Sequence, residues 1–489
     1  MGDPGAGSEQ FRDMDPEEFR RHGYAVIDRI AEYLRAPEAW PVVPQVSPGF
    51  LRAVLPREAP EHGEPMDAVL ADFDRLILPG TTHWNHPGFF AYFSISGSGP
   101  GILAEALTAA LNVNAMVWLS GPAATELEET TLDWLRRLIG LPEGFDGTIN
   151  DTASSSTLYA LAAAREARPE LRVRQDGIAG RTDIPAMRVY CSSQAHSSVH
   201  KAVITLGLGL SGVREIATDG DLAMNAEALR TAIAEDRAAG LLPIAVVATV
   251  GTTSTAAIDP VAAIADICEA EGLWLHVDAS YGGSAAVLPE MRWIMDGCER
   301  ADSLVVNPHK WLFVPIDCSV LYTRRPDVLR RAFSLVPEYL ITSDTPDVRN
   351  LMDYGVALGR RFRALKLWFV LRWFGAEGIR SVLRHHLTLA RSFAQWVDAD
   401  DGFERMAPVH FSLVVFRARP PGQPGADTLD QLNMKVLQRL NASGDVFLSH
   451  TRVHGHYALR LAIGNIRTEQ AHVERAWQLA REAAESLSA

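Results

Sequence analysis

The chain has 489 residues, 47% hydrophobic and 22% charged, which is enough apolar material for a large core and enough length for two or three packed units. Its 60 acids against 46 bases leave a net charge of −14, which argues against nucleic-acid or anionic-membrane partners, since both need a basic face. Four scattered cysteines (Cys191, Cys268, Cys298, Cys318) form no C-x-x-C pair and read as small buried hydrophobes of a reducing compartment, the cytoplasm.

The opening stretch Met1 to Gln10 is Gly-rich and polar, without the basic and apolar regions of a signal peptide. Ala6 stands where a myristoylation motif needs Ser or Thr. No apolar run reaches membrane-spanning length. Asp15-Pro16-Glu17 then supplies an N-cap, an N1 proline and a first-turn acid for an amphipathic helix with the stripe Phe19, Ile27, Ile30, Leu34. Pro-rich connections follow over residues 41–60, and a second helix is expected near Met66 to Leu78.

From about Gly99 to Phe374, helices alternate with short apolar strands. The strands are expected at Arg188–Cys191, Ile244–Thr249, Leu273–Asp278, Ser303–Val306 and Cys318–Thr323. Helices at Ser155–Ala167, Ala226–Arg237 and Pro260–Glu271 separate several of them. Apolar strands between helices indicate an α/β fold with a mostly parallel sheet covered on both faces, its ligand site at the carboxyl ends of the strands. Beyond Gly375 fewer strands (Phe411–Arg417, Ala458–Ile463) alternate with helices, as in a small α+β domain. Pro420 to Ala426 reads as a surface loop.

Four clusters fall near expected strand ends. Asp278 closes Leu-Trp-Leu-His-Val-Asp, and a carboxylate there needs a partner because unpaired charge is costly to bury; a helix cap or salt bridge would also serve. Asn307-Pro308-His309-Lys310 contains one of only four lysines, with Lys201, Lys366 and Lys435. Lys310 precedes the apolar run Trp311 to Pro315, where burial lowers an amine's pKa and frees it as a nucleophile; a snorkelling lysine is the plainer alternative. Asp151 to Thr157 opens a helix with small and hydroxyl residues, which suits an anion or simply an N-cap. His196, in Gln194-Ala-His-Ser-Ser198, gains weight only in company. Together these groups match what pyridoxal phosphate requires: a lysine for its aldehyde, an aspartate for its pyridine nitrogen and a helix N-terminus for its phosphate.

Gly207-x-Gly209-x-x-Gly212 has the spacing of a dinucleotide loop but follows a helix and precedes a strand (Val213 to Ala217), the wrong order. His454, His456, His385 and His386 lack the further ligands a zinc site needs, so no metal is expected.

The ordered motifs His86-Pro-Gly-Phe-Phe-Ala-Tyr-Phe93, Ala123-Ala-Thr-Glu-Leu-Glu128, Gln194-Ala-His-Ser-Ser198, Ala248-Thr-Val-Gly-Thr-Thr253, His276-Val-Asp-Ala-Ser-Tyr281, Asn307-Pro-His-Lys-Trp311 and Leu358-Gly-Arg-Arg-Phe-Arg-Ala-Leu-Lys366 span most of the chain. In them the sequence resembles the pyridoxal-phosphate-dependent aromatic-L-amino-acid decarboxylases, group II enzymes of fold type I. The resemblance implies a seven-stranded-type sheet and three regions: an N-terminal helical dimerisation segment (1–98), a large cofactor domain (99–374) and a small C-terminal domain (375–489). It also implies a homodimer with its active site at the subunit interface.

By the same resemblance Lys310 binds the cofactor aldehyde, His196 stacks on its ring and Asp278 pairs with its nitrogen. Ala153, Ser154, Asn307 and His309 fall where the phosphate is held, and Thr252 and Ala279 at further cofactor contacts. Ser334 to Val356 resembles a catalytic loop that closes over the neighbouring site, with Tyr354 matching the tyrosine that returns a proton to Cα. Related aldehyde synthases have phenylalanine there, so Tyr354 implies amine as product. Tyr92, Phe93 and Trp118 suit an aromatic pocket, and Arg460 matches an arginine that could set the substrate carboxylate. Ser94-Ile95 and Asn150-Asp-Thr depart from the family's usual Pro-Thr or Pro-Ser and Gln-Gly-Ser, the former bearing on the substrate side chain.

The expectation is decarboxylation of tryptophan, tyrosine, phenylalanine or dopa to the amine. The alternatives are oxygen-dependent aldehyde formation or a non-aromatic substrate. An aminotransferase or other lyase on the same fold, or a cofactor-free binding protein, are more distant readings.

Overall fold

The structure, a computed structural model, describes residues 13–335, 348–422 and 425–488. Met1 to Gln10, residues 336–347 of the expected catalytic loop, and residues 423–424 of the surface loop lie outside the described residues.

Contacts divide the chain into two compact units, Met1–His86 and Pro87–Ala489. The first contains the expected amphipathic helix, Pro16–Arg35, whose N-cap Asp15 accepts a hydrogen bond from the Glu17 N–H. Its Phe19, Tyr24 and Ile27 are exposed, and Met66–Asp72 forms the second helix. Residues 87–98 bond within the second unit. There the Phe90 N–H reaches Phe447 O at 2.8 Å, and the Ala462 N–H reaches Phe90 O at 3.0 Å.

The second unit holds a seven-stranded sheet of β1 (Asp146–Asn150), β2 (Met187–Ser192), β3 (Val213–Ile216), β4 (Leu242–Thr249), β5 (Trp274–Asp278), β6 (Ser303–Val306) and β7 (Ser319–Thr323). The order is β1-β7-β6-β5-β4-β2-β3. β2 to β6 pair in parallel, and β7 alone runs against its neighbours β6 and β1. β4 and β5 are buried almost throughout, as strands covered on both faces must be. The expected strands are all present within two residues of their expected bounds.

β1 was not foreseen. Asp-Gly-Thr-Ile-Asn has one strongly apolar residue, and Gly147 is there for space: a Cβ would lie 2.8 Å from Leu132 Cδ1 and 3.0 Å from the Tyr322 ring.

A second, antiparallel sheet follows: β8 (Phe403–Arg405), β9 (Leu413–Ala418), β10 (Ser449–Val453) and β11 (His456–Ala462), in the order β10-β11-β9-β8. It has its own core, including Phe393, Phe416, Val436, Leu459 and Ala480, against the helices Ala426–Ala442 and Gln470–Ser488. The long helix Ala364–Ala399 is broken at Gly375, whose φ of 60° and ψ of 174° only glycine adopts readily. The Gly207–Gly212 segment lies between a helix and β3, so its glycines meet no strand end.

Candidate active site

Because β7 is the one reversed strand, β1, β2, β4, β5 and β6 all end on one edge of the sheet. The residues after those ends are the expected chemical groups. β1 leads into the helix Ala153–Glu166, β2 into His196, β4 into Thr252, β5 into Asp278 and Ala279, and β6 into Asn307, His309 and Lys310. An open α/β sheet binds its ligand at such an edge.

Lys310 sits in the single turn Pro308–Trp311, its N–H bonded to Asn307 O at 2.9 Å. Desolvation lowers its pKa, opposed in part by the charge of Asp278, so the amine is biased toward its nucleophilic form. Its Nζ lies 5.5 Å from the centre of the Phe93 ring. Phe93 stacks on Tyr281 with centroids 3.7 Å apart, and Tyr281 on Trp311 at 5.0 Å. The Trp311 indole N–H donates to His386 Nδ1 at 2.9 Å. The turn bearing the lysine is therefore braced from below by aromatic rings.

Asp278 is 7% exposed and makes no ion pair among the described residues. Its Oδ1 accepts from the Ser280 hydroxyl and, at 3.1 Å, from the Ser280 N–H. A buried carboxylate supported only by neutral donors suits a cationic partner supplied by a ligand. His196 Nδ1 accepts from the Ser198 N–H at 3.2 Å, which leaves the ring proton on Nε2. Burial lowers the His196 pKa, while Asp278 raises it and Lys310 and Lys201 lower it. His309 Nδ1 accepts from the Cys318 N–H at 2.9 Å, and burial takes its pKa down to about 4, so it stays neutral.

Asn307 is buried with Oδ1 unpartnered, and the helix Ala153–Glu166 begins without a side-chain cap. These free polar groups, a desolvated lysine and an unpaired buried aspartate fit a phosphorylated pyridine aldehyde. Thr252 is more structural than expected. Its hydroxyl accepts from the Ala257 N–H at 3.0 Å and lies 3.2 Å from Thr255 Oγ1, shaping the loop after β4.

Lys310 and His196 open into a cleft of about 510 Å³, also lined by Tyr92, Phe93, Phe447 and Arg460. Arg460 is 3% exposed and pairs with no carboxylate among the described residues. Its Nε donates to Ser254 O at 2.9 Å, Nη2 to Thr253 O at 2.6 Å and Nη1 to Ser449 Oγ at 2.6 Å. Burial takes its pKa down to about 10. The small domain adds Leu437, Asn441, Leu448, Ser449, His450 and Thr451 to the wall. None was foreseen: Ser449, His450 and Thr451 lie on β10, a polar edge strand whose sequence carries no motif, and Leu437 and Asn441 on the helix Ala426–Ala442. Ser94 and Ile95 do not line this cleft, and Ser94 is buried behind it.

Two expected residues lie elsewhere in this chain. The Trp118 N–H donates to Asn350 Oδ1 at 3.0 Å and its indole N–H to Glu126 at 3.1 Å, outside the Lys310 cleft. Tyr354 is 7% exposed in the turn Leu351–Tyr354, with the Arg349 guanidinium 4.3 Å from its ring centre. It packs in a core cluster with Tyr159 and Leu329 and lines a separate cavity of about 130 Å³ beside residues 148–151. In its own chain Tyr354 is packed away from Lys310, and residues 336–347 of the expected loop, which the resemblance places over a neighbouring site, lie outside the described residues.

Residues 48–419 match the pyridoxal-dependent decarboxylase conserved domain. The chain is 41% identical to tryptophan decarboxylase TDC2 of Camptotheca acuminata, over 98% of this chain and 97% of that one. It is also 41% identical to a phenylacetaldehyde synthase of Arabidopsis thaliana, over 98% of each. Among solved structures, Oryza sativa TDC with PLP and tryptamine superimposes with a TM-score of 0.94 at 36% identity, covering 98% of this chain and all of that one.

Proposed function

Because the chain belongs to the pyridoxal-dependent decarboxylase family, we propose that it converts an aromatic L-amino acid to the amine and carbon dioxide. It is a carboxy-lyase of fold type I that works with pyridoxal 5'-phosphate. The observation that carries the substrate reading is the cleft itself. Lys310 and His196 meet there with an aromatic wall and a buried arginine that has no carboxylate partner among the described residues.

In this reading Lys310 holds the cofactor's aldehyde carbon and Asp278 its ring nitrogen, and His196 covers the ring. Ala153, Ser154, Asn307 and His309 hold the phosphate, with Thr252 and Ala279 shaping the loops around it. Bound there, the cofactor supplies an electron sink for the bond at Cα that breaks. Arg460 attracts the substrate carboxylate from beside the wall formed by Tyr92, Phe93 and Phe447, which takes the aromatic side chain and excludes water. Lys310 and His196, which face the cleft with Tyr92, His450 and Arg460, hold the proton at Cα, and Tyr354 of a second copy returns it.

The assembly is a homodimer in the cytoplasm. Leu103, Leu107 and Leu111 support the dimer: they stand on one stripe of the helix Gly99–Leu111 and are about half exposed in the single chain, a surface a second copy would cover. The Trp118 segment is then offered to the neighbouring cleft. The four cysteines, all free and buried, support a reducing compartment.

The test is turnover by the cofactor-loaded protein of a panel of aromatic and aliphatic amino acids, with products identified by mass spectrometry. Amine from aromatic substrates is expected, and Lys310→Ala abolishes it. Aldehyde with peroxide would move the chain to the synthases, among which one of its relatives is named. Turnover confined to aliphatic substrates would overturn the aromatic pocket.

A further inference from the structure

The strand that ends on Asp278 carries a second buried titratable group that the proposed reaction does not use. Trp274, His276 and Asp278 are alternate residues of β5 and share one face of the sheet. Ser303, on β6, stands opposite His276 in the parallel register. The Trp274 indole N–H donates to Ser303 Oγ at 2.9 Å, and that oxygen lies 2.9 Å from His276 Nδ1. All three side chains are buried, His276 with 0% exposure.

The proton positions follow from what each group can do. An indole N–H only donates, so Ser303 Oγ accepts from Trp274. If Ser303 also accepted from His276, its own buried hydroxyl proton would have no acceptor among the described residues, a costly loss. The satisfied arrangement runs Trp274 to Ser303 to His276 Nδ1. His276 is then neutral with its proton on Nε2, in keeping with the burial that takes its pKa down to about 4 against the opposing charge of Asp278. Nε2 is buried and has no hydrogen-bond partner among the described residues. Same-face neighbours on a strand stand roughly 7 Å apart, a gap that an imidazole spans through one enclosed water. On the other side, among the described residues the Asp278 carboxylate receives donors only at Oδ1, both from Ser280.

We propose that His276 is a positioning residue for Asp278: its Nε2–H, aligned by Trp274 and Ser303, donates to the carboxylate through one enclosed water. The donor keeps Asp278 ionised and aimed, and so sets how firmly the protein holds the cofactor's ring nitrogen. This rests on the cofactor site proposed above.

The test compares wild type, His276→Leu and His276→Gln, each incubated with pyridoxal phosphate. Gln keeps an N–H donor near the position of Nε2. The readouts are the visible band of the bound cofactor, the cofactor dissociation constant, kcat and KM, and the thermal midpoint. Removing an outer hydrogen-bond partner costs ~10–100-fold, so Leu should lose that much in kcat and cofactor affinity, with a displaced band and KM within about threefold. Gln should recover most of it.

A Leu variant with wild-type band, affinity and kcat overturns the proposal. So does equal loss in Leu and Gln that tracks the thermal midpoint, since packing alone would explain it. If Leu does not fold, nitrogen NMR of histidine-labelled wild-type holoenzyme decides: an Nε2-protonated neutral ring supports the proposal, and an Nδ1-protonated or charged ring overturns it. Failure of wild type to take up the cofactor at all overturns the functional reading, and this inference with it.

Discussion

Replacing Glu128 with Gln is expected to destabilise the fold and loosen the entrance to the cofactor helix. β1 is the sheet edge, and Ile149 turns its backbone groups away from β7. No strand covers them; a buried ion pair does. Glu128 Oε1 accepts from the Ile149 N–H at 2.8 Å, and Arg360 Nη2 donates to Ile149 O at 2.7 Å. The two side chains pair with each other at 2.8 and 3.2 Å, and both are under a tenth exposed. The residue after next to Ile149 begins the approach to Ala153, so this edge carries the helix N-terminus.

Gln can still accept from the Ile149 N–H but leaves the Arg360 charge buried and unpaired, which costs about 3–5 kcal/mol. Glu128→Gln combined with Arg360→Met removes both charges, and a coupling of about 2–3 kcal/mol should return. Urea unfolding followed by tryptophan fluorescence measures both, with the m-value checked for intermediates. Cofactor affinity should fall alongside stability in the single variant. A loss under about 1 kcal/mol for Glu128→Gln, or strict additivity in the pair, would refute the reasoning.

Three further outcomes are expected. Burial takes His276 and His309 down to about 4 and His386 to about 3 from an ordinary 6.5. The unfolded chain therefore binds more protons between these values, and stability present at neutral pH is lost as pH falls from about 6.5 to 4. Each of the first two histidines contributes about 3 kcal/mol, and a urea midpoint flat across that window would contradict this. Tyr354→Phe should turn the product from amine toward aldehyde and peroxide, because in the proposed homodimer the phenol, packed away from its own cleft, serves the neighbouring one; amine at unchanged kcat from this variant would refute that. Gly282→Ala places a Cβ 2.5 Å from Val250 O and 2.9 Å from the Phe411 ring, so a loss of about 1–3 kcal/mol is expected in the same urea assay.

The sequence by itself was enough to assign the sheet and the edge that bears the chemistry. Buried parallel strands such as Leu242–Thr249 and Trp274–Asp278 must be apolar throughout, and each hands over to a polar loop, so Asp278, Thr252 and Lys310 announce themselves by position. Two of the edge strands send no such signal. β1 and β10 are paired on one side only, and their polar residues are legible as strand only once the neighbours are in place.

Tertiary structure also decided what each candidate touches. Arg460 is held by the carbonyls of Thr253 and Ser254, more than 200 positions away, and Ser449 to Thr451 reach the cleft only because the small sheet folds back against residues 89–92. Tyr354 shows the limit most plainly. Its surroundings in the sequence suggest a loop, while its ring is fixed by Arg349, Tyr159 and Leu329. Local pattern determines which face of a strand or helix is apolar, but the partner that covers it comes from distant chain, and burial and hydrogen bonding are properties of that meeting.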